Sequence, residues 1–399
     1  MEEIKWLKNE MPKTDDQFLP LMSEENIGKA LAFHQSFPQY TTTPLAELSQ
    51  LSNYLGIKDF FVKDESYRFG LNAFKVLGGS FAMANYIAEK LAVDVAKLGY
   101  EELTSPALKE KFGQATFYTA TDGNHGRGVA WAANKLGQKS VVLMPKGSAE
   151  IRFENIQKEG AEVTIEEVNY DECVRMANHL AEEAENGVMV QDTAWEGYEK
   201  IPTWIMQGYG TMSLEAAQQL QATGVQRPTH IFVQAGVGSL AGAVIGYFAN
   251  LYQDNPPIMT VVEAQAADCL YQSAKVKDGS IRFVEGDLQT IMAGLACGEP
   301  NTISFDILKN HTDFFISAPD WVSEKGMRIL GAPLKGDPQV ISGESGAVAM
   351  GVVASVMKDP AYQELKQALK LDQNSVVLMF STEGDTDPEN YKKIVWGQE

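Results

Sequence analysis

Cysteine is scarce in this chain. Cys173, Cys269 and Cys297 are the only three in 399 residues, and no pair has the C-x-x-C spacing of a metal or redox site. An odd, scattered set fits a reducing compartment better than a disulfide framework; a Cys269–Cys297 bridge is the one pairing left open. Positive charge is also short, with 33 Lys and Arg against 53 Asp and Glu and a formal net charge of −20. That balance excludes nucleic acid and anionic membrane surfaces as partners and leaves room for a site that welcomes cations. No apolar run approaches the roughly 20 residues that span a bilayer. Met1–Pro20 carries no apolar core, so no signal peptide is expected. Internal repeats and low-complexity tracts are missing as well. Together these absences predict a cytoplasmic globular protein with no bound metal.

What is present is apolar substance and alternation. Hydrophobic residues make up 44%, enough for one large or two medium cores. Short apolar runs alternate with helical patterns. The strands expected are Asp59–Lys63, Ala115–Thr119, Ser140–Met144, Ala161–Ile165, Val188–Gln191, His230–Val233, Ile258–Glu263 and Ser375–Phe380. Helices are expected over Ser23–Phe37, Pro44–Tyr54, Phe81–Leu91, Asn124–Leu136, Ser148–Glu159 and Tyr170–Glu185. Further on they are expected over Leu240–Leu251, Ala267–Val276, Asp320–Leu330, Ala347–Met357 and Ala361–Leu369. Strands this apolar between helices imply parallel sheets covered on both faces. The long helical pattern Tyr198–Gln221 has no strand beside it and reads as a domain crossover. The fold class is therefore α/β with two mainly parallel-sheet lobes. A large domain is expected over 1–84 plus 200–399, and a smaller α/β domain over 85–199. Residues 278–312, punctuated by Gly and Asp, resist assignment.

Three loops carry candidate chemistry. Asn72-Ala73-Phe74-Lys75-Val76-Leu77-Gly78-Gly79-Ser80 sets a lysine ahead of a glycine pair and a helix. By itself Lys75 reads either as a solvated lysine or as an amine able to hold a carbonyl cofactor. Ile231–Gly242 runs from an apolar strand through Gly236 and Gly238 into a helix, which makes an anion site of backbone N–H groups and the helix's positive end. Gly236-x-Gly238-x-x-Ala241 also satisfies a dinucleotide fingerprint, with Glu263 placed as a ribose-binding acid. An NAD-dependent enzyme is thus a competing reading, although it leaves Lys75 without a task. Phe117–Gly128 again runs strand, polar glycine loop, helix, through Thr121-Asp122-Gly123-Asn124-His125-Gly126.

Together with Val377-Leu378-Met379-Phe380-Ser381-Thr382-Glu383-Gly384-Asp385 these loops make four motifs in order over nearly the whole chain. They resemble the pyridoxal-phosphate enzymes of fold type II, the tryptophan synthase β-like family of serine and threonine dehydratases and cysteine synthases. Within it, Asn-Ala-Phe-Lys-Val-Leu-Gly-Gly-Ser and Thr-Asp-Gly-Asn-His-Gly-Arg-Gly are similar to the forms in diaminopropionate ammonia-lyases. The resemblance implies pyridoxal 5'-phosphate held in a cleft between the lobes, with Lys75 as its Schiff-base lysine. Asn124 would bond the ring hydroxyl, and Gly236, Val237, Gly238, Ser239 and Leu240 the phosphate. Ser381 would face the pyridine nitrogen, with Thr382 or Thr386 as alternatives. A homodimer is implied too.

Asp122 departs from the dehydratase pattern, where a small neutral residue usually receives the substrate carboxylate. It reads as an Asx-turn residue, as a receiver of the β-amine of 2,3-diaminopropionate, or as a proton acceptor at Cα. Asp192 reads as a cap for the following helix or as a second proton acceptor. The ammonia-lyases process both enantiomers, whose Cα protons point to opposite faces, so two acceptors are implied: Asp122 for D and Asp192 for L. Glu344, in Ser342-Gly343-Glu344-Ser345-Gly346, reads either as a ring-lining residue or as a helix N-terminal acid. The reaction implied is α,β-elimination of a small diamino acid to pyruvate and two ammonia. A serine or threonine dehydratase is the nearest alternative.

Overall fold

The structure is a computed structural model that describes residues 2–121 and 123–397. In chain order the first strands are β1 (Lys5–Lys8), β2 (Leu45–Glu47) and β3 (Asp59–Asp64). Next come β4 (Thr116–Ala120), β5 (Lys139–Met144), β6 (Glu162–Ile165) and β7 (Gly187–Met189). The last are β8 (His230–Gln234), β9 (Ile258–Ala264), β10 (Phe314–Ala318) and β11 (Val376–Ser381). Strands β4–β7 form a parallel sheet in the order β6-β5-β4-β7. The other seven form a sheet in the order β1-β10-β9-β8-β11-β3-β2, parallel except at its two edges.

The chain divides into two compact units, one of residues 1–23, 43–67 and 212–399, the other of 24–42 and 68–211. The borders thus fall at 23/24, 42/43, 67/68 and 211/212, whereas the sequence pattern puts them at 84/85 and 199/200 and assigns 24–42 to the larger domain. Lys75 goes with the smaller sheet because the helix that follows it, Val76–Lys90, is packed there without a gap. A Cβ on Gly128, in helix Asn124–Lys135, would come within 2.7 Å of the Val76 nitrogen.

In the larger unit, β8, β10 and β11 are buried along their whole length, so their sequences run apolar without alternation. Phe60, Val62, Phe232, Ile316, Val377 and Met379 pack there with Val348, Val352 and Val353. The last three belong to helix Glu344–Lys358, whose face is apolar all round and which is accordingly buried. In the smaller unit, Ala120, Leu143, Cys173, Ala177 and Met189 form one cluster, and Ala130, Val142, Met144 and Ile156 form another.

Each sheet has one place where strand order reverses. In the larger, the chain steps outward β8-β9-β10 on one side while β11 lies on the other side of β8; in the smaller, β4-β5-β6 runs one way and β7 lies on the far side of β4. Helix crossovers leave such a point open at the strand carboxyl ends, and ligands bind there. The glycine loop follows β8 and Ser381 ends β11, while Asn124 follows β4 and Asp192 follows β7. Each pair of motifs therefore meets at the reversal of its own sheet.

Candidate active site

At the reversal of the larger sheet, Gln234 ends β8 and reaches across to β11, its Nε2 donating to Phe380 O at 3.0 Å and Thr382 Oγ1 at 2.8 Å. The chain then turns through Gly238, at φ +100°, into helix Ser239–Leu251. Neither glycine has free room for a side chain. A Cβ on Gly236 would stand 3.1 Å from Gly294 O, and one on Gly238 2.9 Å from Ser304 Oγ. Asn301 fixes the loop from behind: its N–H donates to Val237 O at 2.7 Å and its Nδ2 to Ser239 Oγ at 2.9 Å. Its own carbonyl oxygen Oδ1 caps helix Thr302–His311. A bare-backbone loop opening a thirteen-residue helix is the cradle a phosphate needs.

Ser381 is fully buried and its hydroxyl donates to Ser342 Oγ at 2.8 Å. Of the two alternatives, Thr382 Oγ1 is taken by Gln234 and Thr386 Oγ1 lies 3.3 Å from Glu383 Oε2. Glu344 is the first residue of helix Glu344–Lys358 and accepts a hydrogen bond from Asn390 Nδ2, which is the helix N-terminal arrangement. Glu263 is not the outward ribose acid that the dinucleotide reading requires. It is buried, and its two oxygens accept from the N–H groups of Leu270 and Tyr271 at 2.8 and 2.7 Å. Burial pushes its carboxyl well above the usual range. None of Cys173, Cys269 and Cys297 is joined in a disulfide here.

At the reversal of the smaller sheet, another glutamine stitches the strand ends. Gln191 Oε1 accepts from Thr119 Oγ1 at 2.8 Å and from Ala120 N at 3.1 Å, while its Nε2 donates to Tyr170 OH at 2.7 Å. The next residue, Asp192, is 7% exposed and ion-pairs through Oδ2 with Lys75 Nζ. Tyr209 OH donates to the same oxygen at 3.3 Å. Burial pushes the Asp192 carboxyl up, but the Lys75 ammonium, with His125 and the Tyr209 hydroxyl behind it, outweighs burial and holds it well below the usual carboxylate range. Helix Lys200–Ala222 starts well beyond Asp192, so capping that helix is not its task. Lys75 lies directly ahead of helix Val76–Lys90, where a cation meets the wrong end of the dipole. Asp192 offsets that cost.

Asn124 opens helix Asn124–Lys135 after the turn in which Gly123 N donates to Thr121 Oγ1 at 2.9 Å. His125 is buried, with Nε2 2.9 Å from Val190 O. Asp122 lies outside the described residues. Sequence reasoning missed Tyr209, Gln191, Gln234 and Asn301. A buried tyrosine in a long helix has the same spacing as any core residue, and Asn301 falls in the stretch that resisted assignment. Gln191 closed one expected strand and Gln234 stood one residue past another, and both could have been found there.

The residues present fit a phosphorylated carbonyl cofactor. The one unit offers a lysine amine beside a carboxylate, and the other a glycine loop with little room for a Cβ; these are the two requirements of such a group. The family model for "Pyridoxal-phosphate dependent enzyme" matches residues 37–382. The diaminopropionate ammonia-lyase of Salmonella typhimurium is 54% identical over 373 residues, 93% of this chain and 92% of the relative. Two crystal structures of the diaminopropionate ammonia-lyase of Escherichia coli share 46% identity with this chain. One, with an aminoacrylate–PLP azomethine reaction intermediate, has a TM-score of 0.90; the other, with D-serine, has 0.91. Each alignment covers 100% of this chain and 98% of the other.

Proposed function

The chain belongs to the pyridoxal-phosphate-dependent enzymes, and from that membership we propose that it is a carbon–nitrogen lyase that eliminates ammonia from 2,3-diaminopropionate. Diaminopropionate and one water give pyruvate and two ammonia, so atoms balance without an oxidant or reductant. The reading is supported above all by the Lys75–Asp192 pair at a sheet reversal, within a chain 54% identical to a named ammonia-lyase.

Pyridoxal phosphate, when bound, supplies a conjugated ring that takes up the electron pair left at Cα. The chain's own residues do the rest. Lys75 would be the amine that holds the cofactor's carbonyl carbon, Asn124 would bond its ring hydroxyl, and Gly236, Val237, Gly238, Ser239 and Leu240 would receive its phosphate. Ser381, a neutral hydroxyl, would face the pyridine nitrogen, where it offers no negative charge to hold a proton on that nitrogen. Asp192, ionised and buried, takes the Cα proton of the L isomer; Asp122 takes that of the D isomer or receives the β-ammonium. The protein acts as a cytoplasmic homodimer, an inference that rests on the family and that light scattering checks against a 43.8 kDa chain.

The deciding assay supplies purified holoenzyme with D- and L-diaminopropionate, L-serine and L-threonine. Two ammonia per pyruvate from both diamino acid isomers is the expected outcome. Turnover of serine or threonine alone, at one ammonia per keto acid, would instead make it a dehydratase. Borohydride reduction should fix the cofactor on the peptide that carries Lys75. Asp122→Asn should abolish D turnover and Asp192→Asn L turnover, each sparing the other isomer.

A further inference from the structure

We infer that Tyr209 is a positioning residue for Asp192, the hydrogen-bond donor that keeps this carboxylate ionised and aimed while the Lys75 nitrogen is engaged by the cofactor. The inference rests on the reading of Asp192 as the proton acceptor for the L isomer. Tyr209 is wholly buried on helix Lys200–Ala222, and its hydroxyl meets Asp192 Oδ2, the oxygen that Lys75 also contacts. The ring is held in place by the lysine loop itself. Phe74 lies 4.7 Å away, centroid to centroid, and a Cβ on Gly78 would stand 2.6 Å from Tyr209 Cε1. Gly78 thus makes room for the phenol, and the residues flanking Lys75 set where the hydroxyl of Tyr209 points.

A buried carboxylate needs compensation, because desolvation favours its neutral form. Lys75 compensates Asp192 most fully while its nitrogen is a free ammonium with three N–H donors. Once that nitrogen is committed to a carbonyl carbon, Tyr209 is a donor still in place. The other titratable groups of this cluster are His125, Tyr198, which feels Asp192, and Tyr170, which feels Tyr209. Burial and the carboxylate push the Tyr209 phenol well above its ordinary value, so it stays a donor at every working pH.

Tyr209→Phe removes one oxygen and leaves the packing against Phe74. In the holoenzyme its kcat on L-diaminopropionate should fall roughly ten- to a hundredfold, as expected for a lost hydrogen bond to a charged group. Turnover of the D isomer should stay within about twofold, a change too small to signal a lost hydrogen bond. The acid limb of kcat/KM for the L isomer should rise by about one pH unit, because the ionised form has lost a donor. Turnover aside, the ¹³C carboxyl resonance of Asp192 in the apoprotein, identified by its loss in Asp192→Asn, should titrate at higher pH in the variant. Equal losses on both isomers with an unmoved limb and resonance would reduce Tyr209 to a packing residue and overturn the inference. If Asp192→Asn itself leaves L turnover intact, the acceptor reading fails first, whatever Tyr209 does. 3,5-Difluorotyrosine at 209, a stronger donor of nearly the same shape, should move the limb to lower pH; no movement counts against the inference.

Discussion

Gly238 shows how little latitude a phosphate cradle allows a single residue. Its φ of +100° is a backbone region that L side chains rarely adopt, and a Cβ there would meet Ser304 Oγ at 2.9 Å. Strain and crowding act together, so Gly238→Ala must move the loop, the Ser304 side chain or helix Thr302–His311, which Asn301 caps. Cofactor affinity, read by the rise of the visible absorption band on titrating apoprotein, should fall at least about tenfold, the equivalent of roughly 1.4 kcal/mol. Unchanged affinity would mean that the phosphate does not rely on this turn. Ser342 and Ser381 show the same economy: both are buried, and their hydroxyls meet at the end of β11.

At the level of elements, close approach of helices is what aims Lys75. Helix Val76–Lys90 crosses helix Lys200–Ala222 so tightly that a Cβ on Gly208 would stand 2.3 Å from Leu77 O. Backbone cannot yield as a flexible side chain can. Gly208→Ala should therefore cost about 1–3 kcal/mol of stability and disturb the Lys75–Asp192 pair, which a lower Tm and slower cofactor incorporation would reveal. An unaltered Tm would show that the crossing has slack.

Although β10, buried along its whole length, went unforeseen, the other central strands were legible because burial on both faces leaves an apolar run, as in His230–Gln234 and Val376–Ser381. Edges were not. β1 is four residues, Lys-Trp-Leu-Lys, half exposed and antiparallel to β10. β2 hides in Leu45–Glu47, just after Pro44, a residue that favours a first helical turn; the helix starts only at Ser49. The site followed the same division. Lys75, Asn124 and the glycine loop announced themselves by local sequence, whereas Tyr209 and Asn301 act from elements remote in the chain, and only the packing reveals them.

For the molecule as a whole, pH decides which buried groups stabilise the fold. His230 is buried in the larger unit, its Nε2 2.8 Å from Leu369 O and its Nδ1 2.7 Å from Thr229 Oγ1. Burial holds its pKa below the ordinary 6.5, despite the Leu369 carbonyl and Asp372. The unfolded chain therefore takes up this proton first as pH falls. Above 6.5 the ring is neutral in both states and costs nothing; below 6.5 stability drops until the folded-state pKa is passed, by up to about 1.4 kcal/mol per pH unit for one group. Asp192 works in a lower window. Its depressed carboxyl contributes stability above the ordinary 3.8 and loses it as pH falls through the folded value. Acid also neutralises part of the net charge of −20, which relieves self-repulsion and works against both losses. The two directions can be separated with salt, since about 0.15 M shortens the screening length to roughly 8 Å and damps repulsion without touching a buried ring. At that ionic strength the apoprotein's Tm should hold steady from pH 8 to 6.5 and then fall toward pH 5. His230→Gln, which can still donate to Leu369 O, should flatten that fall, whereas an identical decline in the variant would move the acid sensitivity to another group.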